Sequence, residues 1–447
     1  MSQFLVGAPT VEIDGPLRRE HLVQTFHHYG TPRAEWRVGG EYERAVVRGD
    51  GAAVAFDDPD GIEWILGRLV ERTGWRPHDE AGRLIALEGE GASITLEPGG
   101  QVELSGAPFH HLSDLEAEVR RNRDQLVALS EGRDHRWIAA GLTPYAPIDG
   151  IPWVPKGRYR VMREYLPRYG PLAHWMMKGT CSVQANFDYA DEADCARKFE
   201  VAQALAPLNT AIFANSPVAE GRDTGFVSYR GHVWTRTDPA RTGFPPTVRA
   251  GYSHERWVDY LLDTPMMFVQ PRGEWVSAEG RTFRQWMADG IDGVFPTLRD
   301  WSLHQTSVFP EVRVKKTIEI RGADAVSLPL AVGFCALWKG VLYGEGALDA
   351  ALALSRRFVA TAESHEARHL ASAHDGLEGR MSGRPTADWA RELGGIARAG
   401  LLEQGEDPRF LDPVLALLES GRSPGAAVRE AFRRDPSPAN VLPVLAY

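Results

Sequence analysis

The chain has 447 residues, enough for one large domain or for two to three ordinary ones. Hydrophobic residues make up 43% of it and charged residues 25%, the balance of an ordinary globular protein. A net charge of −10 argues against a general nucleic-acid binder.

The N-terminal stretch MSQFLVGAPTVEIDG has no basic segment followed by an apolar one, so the sequence predicts no signal peptide. The longest apolar run, residues 328–338, is interrupted by a proline and is too short to span a bilayer. Three cysteines, Cys181, Cys195 and Cys335, indicate a reducing compartment rather than a disulfide framework. We therefore expect a cytoplasmic protein whose partners include neither nucleic acid nor a membrane.

The first part of the chain mixes helical and strand-like patterns. Apolar residues at helical spacing predict helices over residues 16–30 and 60–73, and a charged amphipathic helix over 112–132. A further short helix is predicted in VMREYLPRY. WRVGGEYERAVV alternates like a strand, and LIALEG and SITLEP predict a hairpin around a glycine-rich turn.

The second part continues with strand predictions for TCSVQANFDY, GFVSYRGHVW and VRVKKTIEIRGAD, and a helix over residues 193–214. After about residue 328 the pattern is almost entirely helical. Several strands alternate cleanly, which is typical of antiparallel sheets with one buried face. The sequence therefore favours an α+β fold over a doubly wound parallel sheet.

Five of the strand-like segments carry a polar face. Residues two apart on a strand share a face, so the polar groups can be assigned by counting. The sets are Glu41 with Glu43; Gln101, Glu103 and Ser105; Ser182, Gln184, Asn186 and Asp188; Ser228 with Arg230; and Thr317, Glu319 and Arg321.

Carboxylates at neighbouring positions of one face repel each other unless a cation lies between them. Mg²⁺ takes such oxygen ligands and keeps positions open for phosphate, and arginine grips phosphate or carboxylate with two hydrogen bonds. The pattern predicts a metal–phosphate site on one face of the sheet. Any single pair is more often a solvated strand face, and it is the combination of five that favours a site.

The same segments resemble the plant-type glutamate–cysteine ligases, part of the wider carboxylate–amine ligase family. The resemblance runs from about residue 16 to at least residue 341. Its densest stretches are SITLEPGGQVELSGAP, GIPWVPKGRY, TCSVQANFDYADEADCARKF, IFANSPVAEGRDTGFVSYRGHVWTRTDPARTG and FPEVRVKKTIEIRGAD.

The resemblance implies a glutamine-synthetase-like fold, in which an antiparallel sheet forms a funnel and helices pack outside. It implies one catalytic domain over residues 1–447, with a mostly helical part over 328–447. The implied reaction uses ATP and two or three Mg²⁺ ions. Glutamate is phosphorylated on its side-chain carboxylate, and the amine of cysteine then displaces the phosphate.

The resemblance also implies roles for individual residues. The implied Mg²⁺ ligands are Glu41, Glu43, Glu97, Glu103 and Glu319. The residues implied to hold the phosphoryl group or a substrate carboxylate are Arg230 and Arg321. Those implied to face the site or bind ATP and substrate are Gln184, Asn186, Lys156, Arg158, Trp234 and Arg241.

One position departs from the family. The family has arginine before the Thr-Cys of the TCSVQANFDY strand, where this chain has Gly179, preceded by Lys178. Either Lys178 substitutes or the amine acceptor differs. The sequence is also compatible with a γ-glutamyl or carboxylate–amine ligase acting on another amine, and with a silent relative that only binds nucleotide.

A competing motif is HEARH, residues 365–369, which matches the H-E-x-x-H pattern of zinc peptidases. Two histidines four apart on a helix could bind one Zn²⁺, with Glu366 as base. The flanking sequence favours a solvated helix instead. The chain has no GxxxxGK[ST] motif and no GxGxxG motif between a strand and a helix, so phosphate binding would use neither.

Overall fold

A computed structural model of the chain describes residues 15–447. The stretch that bears on a signal peptide lies outside these residues, apart from its final glycine, so that prediction stays a prediction. The described strands are β1 (Val38–Val47), β2 (Arg76–Glu80), β3 (Arg83–Glu88), β4 (Ser93–Leu96), β5 (Val102–Ser105), β6 (Arg136–Ile138), β7 (Ser182–Phe187), β8 (Val218–Ala219), β9 (Arg222–Asp223), β10 (Thr242–Gly243), β11 (Phe268–Val269), β12 (Val276–Ser277), β13 (Phe309–Pro310), β14 (Val312–Val314), β15 (Ile318–Asp324), β16 (Arg380–Met381) and β17 (Arg384–Pro385).

Helices account for much of the remaining chain. They are α1 (Arg19–His27), α2 (Ile62–Thr73), α3 (Leu112–Leu129), α4 (Gly157–Tyr165), α5 (Ala173–Lys178), α6 (Glu192–Ala204), α7 (Ala206–Ile212), α8 (Tyr229–Thr235), α9 (His254–Asp263), α10 (Phe283–Asp289), α11 (Leu298–Gln305), α12 (Leu328–Tyr343), α13 (Glu345–Val359), α14 (His365–Asp375), α15 (Thr386–Glu403), α16 (Asp412–Ser420), α17 (Pro424–Arg434) and α18 (Pro438–Val441). Within residues 15–447, no helix is both long and apolar enough to cross a membrane.

The main sheet has nine strands in the order β14–β15–β7–β1–β5–β4–β3–β2, and β6 also pairs with β1. Every pairing in it is antiparallel. The order ends at β14 and β2, so the sheet is open. The prediction of an α+β fold built on an antiparallel sheet is confirmed.

Register brings the predicted polar residues side by side. On neighbouring strands the directly opposed pairs are Glu43 with Glu103, Glu41 with Gln184, and Glu319 with Asn186. Because facing residues on paired strands point to the same side of the sheet, these groups share one face. The opposite face contributes Val183, Ala185 and Phe187 to the core, where α12 packs against β7.

Three predicted elements differ from the structure. GFVSYRGHVW is not a strand: Ser228 caps helix α8, its Oγ accepting the backbone N–H of Gly231 at 3.0 Å. VRVKKTIEIRGAD forms two strands, because the chain reverses where the Lys315 N–H bonds the Thr317 carbonyl at 2.9 Å. The long helix predicted over 193–214 is split into α6 and α7, with Pro207 in the first turn of α7.

The cysteines behave as small core residues. Cys181, Cys195 and Cys335 are all buried with free thiols. Burial raises the pKa of the Cys181 thiol well above its ordinary value, which keeps it protonated and unreactive.

Candidate active site

The polar face of the sheet lines an internal cavity of about 130 Å³. The sheet supplies one wall through β1, β4, β5 and β7, and α4, α5 and α8 supply much of the other. Four of the five predicted metal ligands and both predicted arginines line it: Glu41, Glu43, Glu97, Glu103, Arg230 and Arg321. We call this space the carboxylate cavity, and it is the candidate active site.

The two carboxylates on β1 are oriented by amides on β7. Asn186 Nδ2 donates to Glu41 Oε1 at 2.8 Å, and Gln184 Nε2 donates to Glu43 Oε1 at 2.9 Å. The backbone N–H of Ser182 donates to Glu43 Oε2 at 2.7 Å. Gln184 lines the cavity itself, whereas Asn186 contributes through Glu41.

Glu43 and Glu103 sit among like charges. Burial, and then the neighbouring Glu41 and Glu97 carboxylates, raise the pKa of Glu103 to about 8. Burial and then Glu97 raise the pKa of Glu43 to about 7. Ser105 Oγ donates to Glu103 Oε1 at 2.5 Å, but a neutral hydroxyl does not offset the repulsion. The group therefore favours binding of a cation.

Glu319 is in a different position, because cations already surround it. Arg313 donates to it through Nε at 2.5 Å and Nη2 at 2.8 Å, Arg321 Nη1 lies at 2.9 Å and Lys315 Nζ at 3.5 Å. Burial opposes its charge, but these cations outweigh burial and hold the pKa of Glu319 well below its usual range. The Glu319 side chain is fully buried and does not line the cavity. Its position does not support the prediction of a metal ligand, since it anchors the cationic groups instead.

A β-bulge directs Arg321 toward the cavity. The pairing of β15 with β7 shifts register between Ile320 and Ala323, so Arg321 lies within the irregular segment. Bulges often re-aim a side chain beside a functional site. Arg321 Nη1 donates to both Glu319 Oε1 and Gln184 Oε1, which fixes the guanidinium at the edge of the carboxylate group.

Arg230 reaches the same place from the first turn of α8. Its Nη2 donates to the backbone carbonyl of Arg321 at 3.1 Å, and its Nη1 lies 3.7 Å from Asp324 Oδ1. Asp324 also accepts the hydroxyl of Ser228, the helix cap, at 2.9 Å. The cap and the two arginines therefore form one connected network, although the strand predicted for Arg230 is a helix.

Besides Gln184, three of the predicted ATP and substrate residues line the cavity: Lys156, Arg158 and Trp234. Lys156 Nζ donates to the Leu96 carbonyl at 2.8 Å, and burial followed by Arg158 lowers the pKa of Lys156 to about 7. Arg158 Nη2 donates to the Tyr159 hydroxyl at 3.2 Å. Both cations thus lie next to the carboxylates, at the end of the cavity formed by α4.

Arg241 is placed elsewhere. Its guanidinium is fully buried and bonds Asp238 Oδ2 at 2.6 Å, the Pro265 carbonyl at 2.7 Å and the Ser307 carbonyl at 3.1 Å. It lines neither this cavity nor the larger one beside it. The prediction that Arg241 binds substrate is corrected: its donors hold loops together.

The departure at Gly179 is not offset by Lys178. Lys178 Nζ donates to the carbonyls of Ile148 at 2.6 Å and Ile151 at 2.8 Å and does not line the cavity. A Cβ added at Gly179 would lie 2.6 Å from the Trp175 ring, so a side chain there would require the ring to move. Lys178 therefore does not take the place of the arginine that the sequence resemblance implies at position 179.

The flanks of the HEARH motif predict a solvent-exposed helix face, but only part of the motif is exposed. The His365 and His369 side chains are 11% and 8% exposed, whereas Glu366 is 59% exposed and pairs with Arg249. A peptidase base would have to face the histidines, and Glu366 is directed to Arg249 instead. The solvated-face prediction is therefore wrong for the two histidines.

Sequence reasoning missed Arg313, which lines the cavity and pairs with Glu319. The signal was present, because Arg313 and Glu319 are an even number of residues apart in VRVKKTIEIR and would share one face of a continuous strand. It was hidden by the turn that makes them cross-strand partners rather than neighbours on one strand.

The carboxylate cavity meets the needs of Mg²⁺ in its chemistry. Within residues 15–447, no three or more His, Cys, Asp or Glu side chains are arranged to hold a metal ion. The donor chemistry does fit, because carboxylate oxygens are the ligands Mg²⁺ prefers. The raised pKa values of Glu43 and Glu103 mark negative charge that a cation would stabilise. The magnesium site itself stays a prediction.

Comparison with known proteins finds a matching family model and relatives named for the same activity. The model of glutamate–cysteine ligase family 2 matches residues 37–439. The chloroplastic glutamate–cysteine ligase of Solanum lycopersicum is 36% identical over 423 residues, covering 93% of this chain and 80% of that protein. The chloroplastic enzyme of Arabidopsis thaliana is 36% identical over 443 residues, covering 96% and 84%.

Among solved structures, the chain resembles the glutamate–cysteine ligase of Francisella tularensis in complex with AMP. The TM-score is 0.56 at 14% identity, covering 92% of this chain and 87% of that one, which speaks for the fold. The resemblance inferred from the sequence is confirmed by the family match and by relatives above 30% identity. This chain belongs to the glutamate–cysteine ligase family 2.

Proposed function

We propose that this chain joins the γ-carboxylate of glutamate to the amine of cysteine at the expense of ATP, giving γ-glutamylcysteine, the first step of glutathione biosynthesis. One observation carries the proposal beyond family membership. A group of four carboxylates, two of them buried and two half-buried, faces two connected guanidinium groups within one cavity. That is the charge pattern expected for phosphoryl transfer assisted by cations.

The mechanism requires positioning rather than a protein nucleophile. Glutamate attacks the γ-phosphorus of ATP through its side-chain carboxylate, ADP leaves, and γ-glutamyl phosphate forms. The amine then attacks the acyl carbon and inorganic phosphate leaves. Arg230 and Arg321, which line the cavity, are proposed to stabilise charge on the transferred phosphoryl group, because fixed guanidinium groups do this without reorganisation.

The residues that would hold Mg²⁺ are Glu41, Glu43, Glu97 and Glu103. Bound Mg²⁺ would neutralise phosphate oxygens. The Gln184 and Asn186 amides orient two of these carboxylates, and Glu319 holds Arg313 and Arg321. Lys156 and Arg158 are proposed to bind phosphate from the α4 end.

The test is an assay of ADP release with purified protein, ATP, MgCl₂ and glutamate against a panel of amines. We expect ADP release that needs both glutamate and cysteine, with γ-glutamylcysteine identified by mass spectrometry. Release with another amine but not with cysteine would identify that amine as the acceptor. The glycine at position 179, where the resemblance implies arginine, leaves this outcome open. No glutamate-dependent release with any amine would overturn the proposal.

We further propose a cytoplasmic location. The three cysteines are free and buried, which suits a reducing compartment. Fractionation of the source cells with an antibody to this chain would test it, and a signal in an organelle or secreted fraction would contradict it.

A further inference from the structure

The two arginines of the carboxylate cavity come from separate segments of the chain. Arg230 lies in the first turn of α8, and Arg321 lies in the irregular part of β15. The Arg230 side chain donates to the Arg321 carbonyl at 3.1 Å. One bond from a long side chain with several rotatable bonds does not by itself fix a helix relative to a strand. The place of α8 therefore depends on contacts made by its backbone.

Helix α14, which carries the HEARH motif, supplies those contacts. A Cβ placed at Gly231 would lie 3.0 Å from the Ala373 Cβ, so α8 and α14 come this close because position 231 is glycine. The Ala373 carbonyl accepts the backbone N–H of Ser228 at 2.9 Å. One turn earlier in α14, His369 Nε2 lies 3.1 Å from the Gly231 carbonyl. These two contacts flank Arg230 on both sides.

His369 forms an ion pair with Glu311. Its Nδ1 lies 2.7 Å from Glu311 Oε1, and both side chains are about nine-tenths buried. The Gly231 carbonyl can only accept, so His369 Nε2 carries a hydrogen, and Nδ1 is favourably placed when it is protonated too. Burial opposes that charge, but Glu311 outweighs burial and raises the pKa of His369. Burial also opposes the charge of Glu311, but His369 and then His365 hold the pKa of Glu311 well below its usual range.

The backbone of Glu311 reaches the second arginine. The Arg321 N–H donates to the Glu311 carbonyl at 3.1 Å, and the Glu311 N–H donates to the Gly243 carbonyl at 3.1 Å. Glu311 thus holds the Arg321 backbone with its carbonyl and His369 with its side chain. The contacts close a ring that runs through Arg230, Arg321, Glu311, His369 and Gly231.

We propose that His369 is a positioning residue for phosphoryl transfer, which together with Glu311 sets the distance between the Arg230 and Arg321 guanidinium groups. His369 does not line the carboxylate cavity, so it would act through α8 rather than on the reacting atoms. A misplacement of about 1 Å caused by a change away from the chemistry can cost about a hundredfold in rate. This inference rests on the proposed function, which gives the two arginines their role.

Two amide variants separate the two contacts of the His369 ring. The amide nitrogen of His369→Gln takes the place of Nε2 and can still donate to the Gly231 carbonyl, whereas that of His369→Asn takes the place of Nδ1 and reaches only Glu311. We expect His369→Asn to lower kcat per folded molecule by at least about tenfold, with little change in the KM for glutamate. His369→Gln should recover much of that loss.

His254→Gln is the matched control. His254 is a fully buried histidine of α9 whose Nδ1 lies 3.0 Å from the Tyr252 hydroxyl, and it lines neither the carboxylate cavity nor the larger cavity beside it. Its loss should lower the melting temperature but leave kcat per folded molecule unchanged. Equal kcat in His369→Asn and this control would overturn the proposal.

A double-mutant cycle with Arg230→Lys tests whether His369 acts through Arg230. Lysine has no planar fork to place, so His369→Asn should cost less than about twofold in that background. Additive losses would mean that His369 only supports the fold, and the proposal would be overturned. A rise in the KM for ATP with kcat unchanged would also overturn it, by assigning His369 to nucleotide contact.

Glu311→Gln keeps the test decisive if His369→Asn does not fold. It breaks the same ring while leaving the backbone bond to Arg321, and full kcat in the folded variant would overturn the proposal. A wild-type chain without ligase activity would remove the proposed function. The crystal structure of His369→Asn or Glu311→Gln would then test the inference without turnover, because the Arg230 guanidinium should leave the Arg321 carbonyl. An Arg230 side chain that keeps its place would overturn the inference.

Discussion

At the scale of single residues, the buried glutamates of this chain are of two kinds. Glu319 is surrounded by Arg313, Lys315 and Arg321, so its charge is balanced within the protein. Glu43 and Glu103 lie beside other carboxylates, and their pKa values are raised to about 7 and about 8. The first kind stabilises the fold as it stands. The second opposes folding until a cation or a proton is bound.

The first prediction concerns Glu103→Gln. Ligase activity should fall by about a hundredfold or more, because the variant loses a carboxylate proposed to hold the Mg²⁺ that would neutralise the reacting phosphates. The pKa of Glu103 is raised from 4.5 to about 8, so in chelator-treated wild-type protein its stabilising contribution is lost as pH rises across that window. The free energy of unfolding, measured with urea at pH 5 to 8 in EDTA, should therefore fall less with pH in the variant.

Glu319→Gln is the contrasting variant. Breaking a buried ion pair by removing one partner costs about 3–5 kcal/mol, so this change should destabilise the chain at neutral pH. Equal stability of the two variants in EDTA would show that the glutamates are not of two kinds. A Glu103→Gln variant whose stability depends on pH as strongly as the wild type would contradict the assigned repulsion.

The second prediction concerns Arg230→Lys. Lysine keeps the charge but cannot contact the Arg321 carbonyl and the phosphoryl group with one planar fork. We expect kcat to fall by about a hundredfold with a smaller change in the KM for ATP. Melting temperature is measured on the same preparation. A destabilised variant with full turnover per folded molecule would mean that Arg230 only braces Asp324.

At the scale of elements, sequence reasoning succeeded where strand pairing alone sets the conformation and failed where a contact distant in sequence sets it. Glu41, Glu103 and Gln184 were placed correctly because their strands alternate over several residues against buried neighbours. The segment around Arg230 also alternates, but its conformation is set by the Ser228 cap and its bond to Asp324, nearly a hundred residues away in sequence. A contact of that range has no signal in a local pattern.

The HEARH motif shows the same limit. HEARH marked His365 and His369 as neighbours on one helix face, which the structure bears out. Their partner Glu311 comes from the loop that precedes β14, and nothing in either segment indicates the other. Burial of the histidines is thus a tertiary fact, and the solvated flanks of the motif were misleading.

The packing of α12 on α15 supplies the third prediction, which concerns glycine. A Cβ at Gly400 would lie 2.0 Å from the Gly340 carbonyl oxygen, whereas a Cβ at Gly395 would meet nothing within 4 Å. Gly400→Ala should force the helices apart and cost about 1–3 kcal/mol. Gly395→Ala on the same helix should be neutral or stabilise by up to about 1 kcal/mol, since alanine favours helix.

Urea unfolding of both variants checks this expectation, with kcat measured alongside. Neither glycine lines the carboxylate cavity, so turnover per folded molecule should be unchanged. Equal stability of the two alanine variants would mean that the helices can separate without loss.

At the scale of the whole molecule, we propose that the chain is one catalytic unit rather than a sheet domain with a separate helical domain. One continuous core includes Leu22 of α1, Val183 of β7, Trp338 of α12 and Leu418 of α16. The mostly helical part after residue 328 therefore packs on the same core as the sheet. Cooperative unfolding of the whole chain is expected from such a core.

The last prediction tests whether the chain unfolds as one unit. It changes Tyr447, which contacts strand β1. The Arg44 guanidinium of β1 is 3.8 Å from the centre of the Tyr447 ring and donates to its hydroxyl. Arg44 is 2% exposed, and no carboxylate in residues 15–447 forms a salt bridge with it. Tyr447→Ala would remove the nearer of the two rings that contact this cation and leave only Tyr42, whose ring centre is 5.5 Å away, at a cost of about 2 kcal/mol. Tyr447→Phe keeps the ring and should lose less. Scanning calorimetry should show one transition in all three proteins, shifted lowest in the alanine variant. If Tyr447→Ala splits the unfolding transition in two and shifts the temperature of only one, the sheet and the C-terminal helices unfold independently. The proposal of one catalytic unit would then be wrong.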